Sequence, residues 1–294
     1  IRDFCLSRGL GDVYKRQAWS VSELDKRENT ASHVLARFRG FIQAAATLVT
    51  NIHLPNFAKG TLYQGGGKYV CVPGLNCYSC PGAAGACPVG AFQAVVGSSK
   101  FRFSYYITGI LILFGVLLGR FICGFLCPFG WFQELLHKIP SPKLSTKKLK
   151  PLRYLKYAVL LVMVVLLPLL AVNELGMGDP FFCKYLCPQG VLEGAIPLSL
   201  TNAGIRAALG KLFTWKACIL LAVIMGSVVF YRPFCKWLCP LGAFYALLNK
   251  VSLFQMRVDT HKCVSCGACA KACKMDVDLS LIHISEPTRQ AEIS

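Results

Sequence analysis

Two signatures are missing from this sequence. It has no C-x-x-C-H, so c-type haem gains no support, and no G-x-G-x-x-G, so neither does a Rossmann cofactor. Acidic residues are scarce: 14 Asp and Glu stand against 32 Lys and Arg, a net charge of +18. In a nuclear protein such an excess would suggest nucleic acid. Here, however, charge is missing from long stretches of the chain. Phe103–Gly119 and Tyr157–Asn173 each run 17 residues without one, and Ala217–Tyr231 runs 15, extended upstream by Leu212–Trp215 with Lys216 placed to snorkel. About 20 residues cross a hydrocarbon core ~30 Å thick. With 54% hydrophobic residues and a mean hydropathy of +0.50, the chain reads as a membrane protein that does not bind nucleic acid. Its Lys and Arg then report orientation.

A fourth uncharged stretch, Gly40–Ala58, contains Gln43, Asn51, His53 and Pro55 and is read as a further span. The expected transmembrane helices are thus about 40–58, 103–122, 157–173 and 212–231. Seven Lys or Arg fall within the 20 residues from His137 to Lys156, whereas Thr61–Arg102 and Glu174–Lys216 are longer and sparser. The positive-inside rule makes both ends and the His137–Lys156 loop cytoplasmic. Cys123, Cys127, Cys235 and Cys239 then fall on the inner face. Cys71, Cys77, Cys80, Cys87, Cys183 and Cys187 fall on the outer face. Cys218 lies inside the last span, where a small packing residue is expected.

Sixteen cysteines exceed what a core needs. Beside membrane-length apolar runs they suggest metal or redox centres before a secreted disulfide framework. Their arrangement repeats. "RFICGFLCPFGWFQELLHK" (Arg120–Lys138) and "RPFCKWLCPLGAFYALLNK" (Arg232–Lys250) share R-x-x-C-x-x-L-C-P-x-G-x-F-x-x-L-L-x-K. Each is preceded by a C-P-x-G segment, "CPVGAFQAVV" from Cys87 and "CPQGVLEGAI" from Cys187. The repeats span about 80–138 and 183–250, and duplication makes two-fold related sites natural.

The chemistry of C-x-x-x-C-P-x-G suits metal binding. Proline disfavours helix at the residue before it, yet is welcome as the first residue of a new one. Cys127 should therefore end one helix and cap the next, with free N–H groups aimed at its thiolate. Each copy supplies two thiolates, and two copies supply four. The set Cys123, Cys127, Cys235 and Cys239 is enough for one [4Fe–4S] cluster or one Zn²⁺. On the outer side the repeat favours Cys80, Cys87, Cys183 and Cys187, with disulfides as the alternative in an oxidising periplasm. Cys71 and Cys77 would be left for a disulfide or another role.

Near the C-terminus, Cys263-x₂-Cys266-x₂-Cys269-x₃-Cys273 has the spacing of bacterial ferredoxins, with Lys274 where Pro is usual. With these motifs quoted, the segment from about Ala18 to Asp278 resembles the NapH/NosR-type family of membrane-bound [4Fe–4S] proteins. The resemblance matches the C-x-x-x-C-P pairs to Cys123/Cys127 and Cys235/Cys239, with Cys183/Cys187 as a third pair. It matches the first ferredoxin motif to Cys263, Cys266, Cys269 and Cys273. It implies electron transfer linking a quinol pool or cytoplasmic donors to periplasmic redox enzymes. The family has a second ferredoxin motif that this chain lacks.

The ends, residues 1–17 and 279–294, resemble translated sequencing adaptors and are set aside. The domains expected are a membrane domain, 18–254, and a truncated [4Fe–4S] ferredoxin-type segment, 255–278. The fold class is an α-helical integral membrane protein of about four transmembrane helices, with short amphipathic interfacial helices and an internal repeat. Its place is the bacterial inner membrane, the ferredoxin-like end cytoplasmic, and its partners are lipid, other redox subunits and a periplasmic oxidoreductase. A quinone is the carrier suggested if electrons must cross between the two faces. The rival functions are a thiol–disulfide relay and cysteine-based metal transport or delivery. Glu134 and Glu193 are expected on wet faces, and His53 and His137 at the interface.

Overall fold

The computed structural model describes residues 37–98, 104–144, 146–174, 177–249, 251–253 and 273–275. The chain divides into two units, Ile1–Ile42 and Gln43–Ser294. Of the first, residues 37–42 are described and are helical. The second is built of helices. Its described residues contain no strand, only single bridges pairing Cys71 with Ala86 and Val172 with Gly178.

The second unit opens with helical residues 43–50, breaks at 51–54, and resumes in the short helix Pro55–Lys59. The expected span 40–58 is therefore interrupted. Pro55 has no N–H to continue the ladder, and the Asn51 amide turns back to donate to the Thr47 carbonyl at 3.2 Å.

The repeats follow. The first contains α1 (Pro88–Gly97), α2 (Tyr105–Leu117), α3 (Phe121–Phe125) and α4 (Pro128–His137). A long linking helix, α5 (Pro151–Leu170), is wound as π-helix over Leu160–Leu166. The second repeat contains α6 (Phe182–Leu186), α7 (Gly190–Thr201), α8 (Lys211–Val229), α9 (Pro233–Trp237) and α10 (Pro240–Leu248). Proline at the first position starts α1, α4 and α10, each capped by its cysteine in extended conformation. A left-handed residue follows each of α2 and α8, Gly119 at φ 50° and Arg232 at φ 48°. Arg232 is the non-glycine case, a conformation that costs about 1–2 kcal/mol.

Two helices, α5 and α8, are long and apolar enough to cross a bilayer, while α1, α2 and α7 are shorter apolar helices. The expectation of four full-length spans is thus met by two, because 40–58 breaks and α2 stops before Gly119. Only 17% of the most apolar window of α5 and of α8 is buried. Leu161, Val162 and Leu170 of α5 and Leu221 and Met225 of α8 face outward, as a lipid-facing surface requires.

The repeats pack reciprocally. α1 lies on α2 and α7 on α8, each within its own repeat, but α4 crosses to α8 and α10 crosses to α2. α5 fills the gap against α1 and α10. The exchange gathers Cys87, Cys127, Cys187 and Cys239 into one buried core with Leu75, Phe129, Phe182, Phe234 and Tyr245.

Close backbone contact also joins α1 to the turn after α5. The Gly178 N–H donates to the Gly97 carbonyl at 3.1 Å, and a Cβ on Gly178 would lie 1.8 Å from the Pro168 carbonyl oxygen. Gly178→Ala should therefore cost about 3 kcal/mol, the upper end for overpacking. Gly109→Ala, inside α2 with open space at its Cβ, should instead stabilise by up to about 1 kcal/mol, since alanine is the better helix former. Thermal unfolding in detergent checks both.

Candidate metal centres

Cys123 of α3, Cys127 before α4, Cys235 of α9 and Cys239 before α10 border one cavity of about 650 Å³. Two come from each repeat, as the paired sequence motif anticipates. The Gly242 N–H at the start of α10 donates to Cys239 Sγ at 3.4 Å. Gln133 of α4 reaches across to the other repeat. Its Nε2 donates to Cys235 Sγ at 3.1 Å, and its Oε1 accepts from the Phe234 N–H at 3.2 Å. Arg232 donates to the Cys123 carbonyl at 2.6 Å and pairs with Glu134 at 2.8 Å, and the Tyr231 hydroxyl donates to the same carboxylate. Glu134 is thus not on a wet face; it neutralises a buried guanidinium. Arg120, Arg153, Lys156 and Lys236 also border the cavity. Burial, then neighbouring thiols, pushes Cys123 up to about 12 and Cys235 up to about 11.

A second cavity, of about 600 Å³, is bordered by Cys77, Cys87, Cys183 and Cys187, with Cys71, Lys68 and Lys216. The geometry is again reciprocal. A Cβ on Gly90 of α1 would lie 3.7 Å from Cys183 Sγ, and one on Gly190 of α7 would lie 3.7 Å from Cys77 Sγ. Cys77 is therefore the counterpart of Cys183. The sequence expectation put Cys80 in this place, but the Cys80 thiol instead donates to Asn51 Oδ1 at 3.4 Å and does not border the cavity among the described residues. The reason is a broken spacing. Ala83 stands where C-x-x-x-C-P would need a cysteine, so the loop supplies the thiol from farther back.

The Cys77 N–H donates to Glu193 Oε2 at 3.0 Å, so Glu193 is also turned inward, and burial pushes its carboxyl up to about 7. Lys216 donates to the Cys183 carbonyl at 3.1 Å, and Lys68 to the Tyr78 carbonyl at 2.6 Å. Burial, opposed by N–H groups of α1, pushes Cys87 up to about 12.

The two cavities are neighbours. Leu75, Asn76 and Cys77 border the second, while a Cβ on Gly74 would lie 3.0 Å from Cys127 Cα of the first. The Tyr245 hydroxyl donates to the Pro73 carbonyl at 2.9 Å, closing the wall between them. Three extended residues reach at most about 11 Å, which bounds the distance from Gly74 to Cys77. Charge asymmetry had suggested opposite faces of a bilayer for the two cysteine sets; packing instead puts both in one core, because α1, α4 and α10 converge there.

The donor sets fit clusters. The twelve described cysteines are free thiols. Among the described residues, no three His, Cys, Asp or Glu converge as a single ion requires. Zn²⁺ needs sulfurs about 2.3 Å from one point. Four cysteines border the first cavity and five the second, enough thiols at each for a polynuclear [4Fe–4S] group.

Other candidates resolve simply. Cys263, Cys266 and Cys269 lie outside the described residues. Cys273 is half-buried, and Met275 beside it borders the first cavity and accepts from Arg153 at 3.2 Å. Cys218 is exposed on α8, whose buried face is Leu220, Val223 and Ser227; it is not a packing residue. His137 Nδ1 meets the Ser227 carbonyl at 3.2 Å, and His53 stacks on Tyr63 at 3.7 Å. Sequence reasoning missed Cys77 and the roles of Gln133 and Glu193. Removing one partner of a buried ion pair strands the other. Glu134→Ala should accordingly cost about 3 kcal/mol in thermal or denaturant unfolding, and adding Arg232→Met should recover most of it.

Comparison with known proteins agrees with this chemistry. A model described as a 4Fe-4S binding domain matches residues 85–106, 103–147, 157–196 and 213–259, together half of the chain, and a second 4Fe-4S binding domain model matches 256–277. The chain is 28% identical to the uncharacterised protein MJ0750 of Methanocaldococcus jannaschii, over 58% of this chain and 65% of that one. It is 26% identical to the putative electron transport protein YccM of Escherichia coli K12, over 55% and 43%. It is 26% identical to the methylamine utilization ferredoxin-type protein MauN of Methylorubrum extorquens, over 64% and 55%. The chain thus spans less than two thirds of each relative. No solved structure matches it significantly. The four matched segments each carry one Cys-Pro junction, and the chain belongs to the ferredoxin-type, 4Fe-4S-binding electron-transport family of the NapH/NosR type.

Proposed function

We propose that this chain is a membrane electron carrier whose helical domain holds two [4Fe–4S] clusters. Cys123, Cys127, Cys235 and Cys239 would hold one, and Cys77, Cys87, Cys183 and Cys187 the other. The single observation that carries the reading is that two cavities of one core are bordered by thiols from both halves of the chain, four at the first and, with Cys71, five at the second. A bound cluster supplies one-electron uptake and release. The chain's own residues do the rest. Phe129, Phe234 and Leu75, almost fully buried, exclude water. Helix N-termini and the ring of Arg and Lys offset the charge of the thiolates. Cys263, Cys266, Cys269 and Cys273 would hold a further cluster, and the contact of Met275 with the first cavity supports entry or exit of electrons there.

The membrane setting is part of the proposal. The outward apolar faces of α5 and α8 support it, with 40–58 and 103–122 as shorter crossings and the His137–Lys156 loop cytoplasmic. The partners proposed are redox subunits, with a quinone or a periplasmic oxidoreductase at the other end of the chain of carriers. The family names of YccM and MauN, electron transport and ferredoxin-type, support this class.

Anaerobically purified protein should contain iron and acid-labile sulfide in equal amounts. Near-stoichiometric zinc, or cycling disulfides without metal, would instead establish one of the rival readings. In EPR, Cys127→Ser and Cys239→Ser should remove the same signal. Cys77→Ser and Cys187→Ser should remove a different one, and Cys80→Ser neither. Loss of a cluster in Cys80→Ser but not in Cys77→Ser would refute the second ligand set. Cysteine labelling should place residues 140–150 on one side of the membrane and residues 60–70 and 200–210 on the other.

A further inference from the structure

The four Cys-Pro helices share a feature beyond C-P-x-G. They read CPVGAFQ, CPFGWFQ, CPQGVLE and CPLGAFY, so the sixth residue after each cysteine is polar: Gln93, Gln133, Glu193 and Tyr245. Three of them, Gln93, Gln133 and Tyr245, have no exposed surface. A buried polar group needs a partner or a reason, and a fourfold recurrence at one helical position is a structural reason.

The observed contacts share one direction. Gln133 reaches the first cysteine of the opposite pair, donating to Cys235 Sγ and accepting from the N–H of Phe234 beside it. Glu193 likewise reaches the first cysteine opposite, accepting the N–H of Cys77 at 3.0 Å. Tyr245 spends its hydroxyl on the Pro73 carbonyl in the wall between the cavities. Gln93 is buried with both amide atoms unpartnered and borders neither cavity. At Gln133 and Glu193 the position is therefore a cross-repeat hydrogen-bonding arm.

The arms differ chemically between sites. Gln133 gives the first site an N–H donor at cysteine sulfur. Glu193 gives the second a carboxylate. The surroundings act in the same sense. Five basic side chains, Arg120, Arg153, Lys156, Arg232 and Lys236, border the first cavity, and two, Lys68 and Lys216, border the second. Hydrogen bonds to sulfur and local charge set cluster potentials. Donors and cations favour the reduced, more negative form; a carboxylate opposes it.

Resting on the cluster reading above, we propose that the sixth residue after Cys127 and after Cys187 is a tuning position. Gln133 and Glu193 there hold the two sites at different reduction potentials, the Cys77 site at the lower. Both residues act through the cysteines and are positioning residues.

The test is an exchange on the full chain, purified anaerobically and titrated with dithionite under EPR at a pH well above the raised Glu193 value of about 7, so that the carboxylate is ionised, each cluster taking up one electron. Glu193→Gln should raise the midpoint of the Cys77 site by at least tenfold in its reduction equilibrium constant, about 59 mV for one electron. Gln133→Glu should lower that of the Cys123 site by a similar amount. Each should leave the other site unchanged. A packing role alone would reduce occupancy without moving a potential. Two intact clusters whose midpoints stay within the titration error in both variants would overturn the tuning role and leave the cluster reading standing. Protein without iron would overturn both. Should Gln133→Glu fail to load, Glu193→Gln, the smaller change, decides alone.

Discussion

The structure depends on what proline does immediately after a cysteine of the repeated motif. It stops the incoming helix, holds the cysteine extended, and starts a new helix whose unpaired N–H groups point back at the sulfur. At Cys87, Cys127 and Cys239 this junction is seen directly, with the cysteine as cap and proline as first helical residue. A thiolate in a buried core is otherwise costly. The junction supplies part of the compensation from the backbone, independent of any side chain that might move. Each short helix therefore both positions a thiol and aims its N-terminal N–H groups at it.

Reciprocal packing turns four such junctions into two sites. If α4 stayed on α2 and α10 on α8, each repeat would hold its own cysteines. Because the two helices cross over, every site takes half of its thiols from each repeat. Disruption of either repeat should be felt at both sites. The same arrangement brings seven Lys and Arg side chains to the two cavities. Arg232 is buried, left-handed and tied to Glu134, Cys123 and the ring of Tyr231. Such a residue makes sense beside a group that gathers negative charge.

The wall between the cavities changes how electron flow through the chain is pictured. Charge asymmetry alone separates the two cysteine sets by the thickness of a bilayer, about 30 Å, and asks for a carrier in between. With Gly74 against Cys127 and Cys77 three residues farther on, that gap is absent.

Much of the site was legible in the sequence, and the reason is local. Residue order determines where helices stop, which cysteines cap them, and that the motif occurs in duplicate. Cys123, Cys127, Cys235 and Cys239 could be paired across repeats because both copies keep C-x-x-x-C-P. Cys77 could not, because Ala83 breaks the spacing and only loop folding returns a thiol to the site. Glu134 and Glu193 read as surface residues because amphipathicity within one helix says nothing of a neighbour's guanidinium or N–H. The spans show the same division: composition marks α5 and α8, whereas hydropathy did not show the break at Asn51 and Pro55 or the stop at Gly119. By itself the sequence determined the ligand chemistry and the repeat. Tertiary structure decided which thiols share a cavity and how close the cavities lie, since both follow from helices crossing between distant segments.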